Sequence, residues 1–217
     1  MALPVPPVSA PLDHLLLGVS DLDHGMDWVR RETGVAALAG GSHPGRGTRN
    51  ALLSLGGGRY LEIIAPDPAQ SEYRFPVDVR PLAEPRLVNW AVRTPDIEAA
   101  ARQAHTAGCR VTGPLPGSRL TPDGATLRWK TLHVEHPFAD PAVDPVPFFI
   151  EWSSGTAHPS AAAPPGCFFE SLLLEHPRAG ELADLLRRLG LAVDVNPGPA
   201  ARISAALRTP QGGVRLS

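Results

Sequence analysis

Gly47–Asp67 reads GTRNALLSLGGGRYLEIIAPD, two strand-length runs joined by three consecutive glycines. Arg49–Leu55 and Arg59–Ala65 are predicted strands, and Gly56-Gly57-Gly58 gives the freedom of backbone that a tight reversal needs. In the second strand Tyr60, Glu62 and Ile64 share one face, and Leu61, Ile63 and Ala65 share the other. Glu62 is therefore a carboxylate set in the middle of an apolar strand. Buried without a partner it would cost several kcal/mol, so the fold must bring it one.

Upstream of this hairpin, Asp13–Val19 is a short apolar run of strand length. Asp21 follows as a helix N-cap, with Leu22, Met26 and Val29 at helical spacing and Gly34 as the C-terminal stop. A strand near Val35–Leu38 and a loop over Gly40–Gly47 lead into the hairpin, giving the order β-α-β-β-β. The order then repeats. Leu87–Arg93 is a strand, Thr94-Pro95-Asp96 starts a helix, and Gly108 ends it. A strand near Arg110–Thr112, a turn at Asp123-Gly124, a strand over Ala125–Val134 and a last one at Pro147–Trp152 complete the second unit. A third pass runs from Phe168–Glu175 through an amphipathic helix, Glu181–Leu189, to strands near Leu191–Val195, Arg202–Arg208 and Val214–Ser217. Three copies of one small motif organise the chain. They divide it into a proline-rich lead (1–11) and units at 12–80, 81–155 and 156–217. The fold class is α+β, with repeated βαβββ modules and a third module appended.

A shift of 75 residues lays Asp96-Ile97-Glu98 on Asp21-Leu22-Asp23 and Asn89 on His14. Matching YLEI at Tyr60–Ile63 to FIEW at Phe149–Trp152 lays Glu151 on Glu62. The third copy ends VRLS, with no carboxylate at that place. His14, Glu62 and Glu151 thus form a candidate polar cluster, with the two glutamates as candidate general bases. Arg49 and Asn50 begin the strand before the glycine turn, and Arg49 is either a bidentate clamp for a ligand carboxylate or a solvent-facing strand end. Trp129 is a cup wall or simple core. Phe149 shares the face of Glu151. His43, His133, His136 and His158 lie in or near proline-rich loops without metal-ligand spacing and are read as structural or exposed.

A formal charge of −2, a pI near 6.4 and the lack of basic runs give no bias toward nucleic acid or membrane surfaces. The start, MALPVPPVSAP, lacks the features of a signal peptide, and no stretch approaches the roughly 18 apolar residues of a membrane span. A soluble, cytoplasmic protein is expected. Cys109 and Cys167, far apart, read as reduced core residues. Gly56–Gly58 precedes a strand rather than a helix, and there is no G-x-G-x-x-G, P-loop or G-x-S-x-G, so nucleotide-binding and serine-hydrolase readings are poor.

DHLLLGVSDLD at Asp13–Asp23, GTRNALLSLGGGRYLEIIAP at Gly47–Pro66, LRWKT and PFFIEW together resemble the glyoxalase-like domain proteins of the vicinal oxygen chelate superfamily. The resemblance implies paired modules curled into a cup, with metal ligands from the first and last strands of each. It assigns the ligand positions to His14, Glu62, Asn89 and Glu151, with Asn89 departing from the usual His, Gln or Glu and standing as a substrate contact with Arg49, Asn50, Trp129 and Phe149. A divalent metal (Zn, Ni, Fe or Mn) would then serve a lyase, isomerase or dioxygenase acting on a small oxygenated substrate. The alternative implied by the same superfamily is a metal-free binding or sequestration protein of the antibiotic-resistance type. An appended third module leaves a sheet edge, which a homodimer would cover.

Overall fold

Seven consecutive buried residues form β1, Leu12–Gly18, the strand about which the main sheet is laid out. The protein is described here from a computed structural model over residues 11–121 and 124–217. The lead at 1–10 and the Asp123 half of the expected Asp123-Gly124 turn lie outside the described residues. After β1 come α1 (Leu22–Thr33), β2 (Leu38–His43), β3 (Thr48–Ser54) and β4 (Tyr60–Pro66). The second unit adds β5 (Arg86–Arg93), α2 (Ile97–Thr106), β6 (Val111–Leu120), β7 (Thr126–Val134) and β8 (Phe148–Trp152). These eight strands make one sheet in the order β2-β3-β4-β1-β5-β8-β7-β6. Each unit runs outward from the centre in the same order, and β1 meets β5 antiparallel at the seam. Within each unit the first and last strands are parallel neighbours. The sheet curls until its two outer strands approach, and Arg119 Nη1 on β6 donates to Gly40 O on β2 at 2.8 Å.

Both helix starts follow the acidic caps read from the sequence. Asp21 accepts from His24 N at 2.8 Å and Asp96 from Ala99 N at 2.9 Å, and Gly34 ends α1 with φ 76°. The caps stand 75 residues apart, which confirms the shift between the first two units. Gly25 lets α1 lie directly on the sheet, since a Cβ there would come within 2.8 Å of Val19 and 3.0 Å of Ile63. In the hairpin turn Gly56, Gly57 and Gly58 all have positive φ (69°, 58° and 72°), the region that side chains disfavour. Ser54 then pairs with Tyr60, and the register that follows sets Leu52 opposite Glu62.

Two local expectations are corrected. The second strand starts at Leu38, three residues later than expected, so half of the expected Gly40–Gly47 loop is strand. The proline-rich stretch after Val111 is also a strand. β6 lies at the sheet edge, where Pro114 and Pro116 cost no ladder donor that a neighbour needs.

The third unit consists of β9 (Phe168–His176), α3 (Ala179–Arg188), β10 (Asp194–Pro197), β11 (Arg202–Thr209) and β12 (Gly212–Leu216), after a 3-10 turn at Pro159–Ala161. It forms its own sheet, β10-β9-β11-β12, in which the first strand is parallel to the second strand rather than to the last. One apolar cluster runs unbroken from Leu15, Leu61 and Trp90 to Leu172, Leu182 and Ile203. Cys109 and Cys167 are buried, free thiols. Among the described residues no helix is long and apolar enough to cross a membrane.

Candidate functional site

The concave face of the curled sheet holds a cavity. Its apolar wall is Leu16, Ile64, Phe148 and Ile150, with Phe75, Pro76 and Val77 closing one end. That closing segment is pinned by the Tyr73 hydroxyl, which donates to Val77 O and accepts from Val79 N. Tyr60, Trp129 and Trp152 supply aromatic surface, and Trp129 and Trp152 lie with ring centroids 5.5 Å apart.

Glu62 projects into this cavity and is only 7 % exposed. Asn50, from the neighbouring strand, donates its amide to Oε1 at 2.8 Å. His14 Nε2 lies 3.4 Å from Oε2, and His43 Nε2 lies 3.5 Å from Oε1. The partner sought for the strand carboxylate is therefore a set of three side chains from β1, β2 and β3.

The hydrogen-bond pattern distinguishes the two histidines. Asp13 Oδ1 is 2.8 Å from His14 Nδ1, and Asp13 Oδ2 receives Arg93 Nε at 2.7 Å, His158 Nε2 at 3.1 Å and Trp152 Nε1 at 3.2 Å. Burial acts to raise the Asp13 pKa, but hydrogen bonds from His14 and His158 win and hold it well below the ordinary carboxylate range. An ionised Asp13 can only accept, so His14 Nδ1 carries a proton. The remaining nitrogen, Nε2, faces Glu62 Oε2 at 3.4 Å. His43 differs. Its Nδ1 lies 2.9 Å from Thr48 Oγ1, and its Nε2 receives the Asn50 amide at 3.2 Å. Burial lowers its pKa and keeps it neutral. Burial likewise lowers the pKa of His133, with the Arg46 charge adding to the effect, and raises that of Tyr60, with Glu62 adding to it.

Of the residues singled out from sequence, His14, Asn50, Glu62, Asn89 and Trp129 all line the cavity. Glu151, Phe149 and Arg49 do not. Glu151 turns to the other face of β8, where its Oε2 accepts from Ile97 N at 2.7 Å at the start of α2. Phe149 is 6 % exposed in the apolar core behind the sheet, and Arg49 alternates out of the face shared by Thr48 and Asn50. The expected register is corrected by three residues. In the parallel ladders Leu16 pairs with Glu62 and Ala91 with Phe148, and the 75-residue shift carries Leu16 to Ala91. Phe148 thus occupies the place of Glu62 in the second unit. A slip by an odd number of residues in a strand exchanges its faces, which is why Glu151 leaves the cup. Sequence reading passed over Asp13, Arg119 and Trp152 and took His43 and His158 as structural or exposed. His43 and Arg119 belong to strands read as loop, and the role of Asp13 depends on partners 80, 139 and 145 residues away.

These positions do not fit the metal set the fold implies. His14 and Glu62 are ligand types, but the fourth position is the ring of Phe148. Asn89 Oδ1, the oxygen that would bind a cation, accepts from Trp90 N. Asn50 presents N–H, not oxygen, to Glu62. Among the described residues no three His, Cys, Asp or Glu side chains are arranged to hold a metal ion.

Two βαβββ units share one curled sheet, with a polar cluster on its concave face, the architecture of a glyoxalase-like domain. The model of the glyoxalase-like domain matches residues 12–190, and the chain belongs to that family. Among solved structures it is similar to a hypothetical protein from Staphylococcus aureus, at 15 % identity and TM-score 0.70, over 95 % of this chain and 98 % of that one. It is also similar to methylmalonyl-CoA epimerase from Mycobacterium tuberculosis, at 21 % identity and TM-score 0.44, over 70 % of this chain and 93 % of that one. A hypothetical protein from Bacillus halodurans follows at 18 % identity and TM-score 0.48, covering 69 % and 99 %. A search of curated proteins finds no match.

Proposed function

We propose that the protein binds a small organic molecule in the cup without a resident metal, with Glu62 as the polar anchor and the aromatic side chains as walls. The observation that carries this reading is the Glu62 carboxylate, buried in an aromatic-walled cavity with only one amide hydrogen bond inside 3 Å. A carboxylate has room for about four hydrogen bonds, so a ligand hydroxyl or N–H has a place to donate.

A second reading rests on the Asp13–His14–Glu62 line. A proton at His14 Nε2 or Glu62 Oε2 is held next to the ligand, and Asp13 fixes the imidazole behind it. That arrangement suits proton abstraction and return at an acidic C–H beside a carbonyl, with Glu62 as the base and His14 as its proton store.

Trp129 and Trp152 make the binding observable. A panel of small oxygenated compounds titrated in the presence of chelator is expected to quench tryptophan fluorescence. Glu62→Gln is expected to weaken binding by about tenfold or more, the loss of a charge-assisted hydrogen bond. Binding that appears only after Zn²⁺, Ni²⁺, Fe²⁺ or Mn²⁺ is added would sink the metal-free reading. In D₂O, ligand C–H exchange catalysed by the wild type and lost in Glu62→Gln selects proton transfer; binding without exchange selects simple capture.

A further inference from the structure

Arg119 is a buried cation with no counter-charge among the described residues. It is 5 % exposed and lines the cup, yet no carboxylate lies within ion-pair distance of it among the described residues. Glu62, the one carboxylate of the cavity lining, has His14 and His43 at that range and not Arg119. The guanidinium has five N–H donors. Among the described residues only Nη1 is engaged, on Gly40 O at 2.8 Å and Leu120 O at 3.4 Å. Nε and Nη2 have no protein acceptor among the described residues. A buried charge left without a partner is costly, and the missing partner here must be an anion.

Two independent features point the same way. Arg46 is half-buried between the cup and an adjoining outer cleft, and it forms no ion pair among the described residues. Thr131, 5 % exposed and part of the same lining, leaves its hydroxyl buried without a partner. The lining thus carries two fixed positive charges against one negative, together with a spare hydroxyl donor.

We propose that the ligand of the cup is a small organic acid. Its carboxylate is taken by Arg119 and Arg46, its flat apolar body lies along Trp129 and Phe148, and a hydroxyl or N–H at its other end donates to Glu62. This rests on the reading of the cup as a small-molecule site and adds the charge and polarity of what it takes.

The test is a set of matched pairs differing only in charge, such as 4-hydroxybenzoate against 4-hydroxybenzamide, titrated at millimolar concentration against the full-length protein. The acids are expected to bind at least about tenfold more tightly than the amides, and added salt is expected to narrow the gap. Arg119→Lys keeps the charge but loses the planar fork, and is expected to weaken acids more than amides. Because Arg119 also ties β6 to β2, Arg46→Gln is the second variant. Its side chain holds no part of the fold, so it is expected to lower the acid preference several-fold with an unchanged melting temperature. Amides that bind as well as acids, with Glu62→Gln still weakening both, would overturn the organic-acid proposal and leave the cup's binding role standing. Failure of every member of the pairs to bind would remove both.

Discussion

At the scale of single residues, Asp13 decides how the site is held. It is fully buried, and its two oxygens collect His14, Arg93, His158 and Trp152 from four separate parts of the chain. His158 keeps Nε2 protonated for this contact because its Nδ1 takes a hydrogen bond from Ser160 N at 3.3 Å. Asp13→Asn removes the charge and leaves Arg93 and His158 facing an amide, and the expected loss at neutral pH is about 3 kcal/mol. The pH dependence has a definite sign. The folded-state pKa of Asp13 is depressed, so its stabilisation is complete above the unfolded value of about 3.9 and is lost as pH falls below it. Urea denaturation at pH 7 and pH 3 is expected to show a wide gap between wild type and Asp13→Asn at pH 7 and a narrower one at pH 3. A gap of constant width would mean that Asp13 is not held as an anion.

At the scale of elements, the two glutamates that look equivalent in sequence do different work. Glu62 faces the cup from β4, whereas Glu151 on β8 closes the free N–H of Ile97 at the positive end of α2. Glu151→Gln is therefore expected to cost about 1 kcal/mol of stability, seen as a modest drop in melting temperature, and to leave ligand affinity unchanged. Tenfold weaker binding in that variant would return Glu151 to the site. The contrast also shows what the sequence could and could not say. β4 has a single polar residue flanked by alternating apolar ones, and its facing is readable. Phe148-Phe149-Ile150-Glu151-Trp152 is apolar on both phases, so nothing local fixes which face is inward. The glycine turn and both acidic helix caps are local signals, and they were legible. The edge strand carrying Arg119 was hidden by its prolines, and the strand order of the third unit depends on long-range pairing that no short stretch encodes.

At the scale of the whole molecule, the third unit has its own sheet but not its own core. Its leucines continue the apolar cluster that begins under the first sheet, and Ser54 N and Leu55 O are hydrogen-bonded to Pro164 O and Phe169 N. Arg188 reaches Ala107 O at the end of α2, and Phe168 lies against Gly56 in the hairpin turn. The connection between units also enters the site, since Pro159 lines the cavity and His158 supports Asp13. A shared core predicts a shared unfolding transition. The four tryptophans, Trp28, Trp90, Trp129 and Trp152, all lie in the first two units, so their fluorescence reports only on those. Leu172 and Ile203, in β9 and β11, are 1 % and 0 % exposed, and truncating either to alanine removes packed methyl groups at a cost of about 2–5 kcal/mol. If the units fold together, Leu172→Ala and Ile203→Ala lower the denaturant midpoint seen by tryptophan as much as that seen by circular dichroism, in one step. If the tryptophan transition stays at its wild-type midpoint while circular dichroism shows an earlier loss, the third unit unfolds alone and the continuous core does not couple it to the cup. Coupling would carry any destabilisation of the third unit into the site through His158 and Pro159, so these variants are also expected to weaken ligand binding as the midpoint is approached.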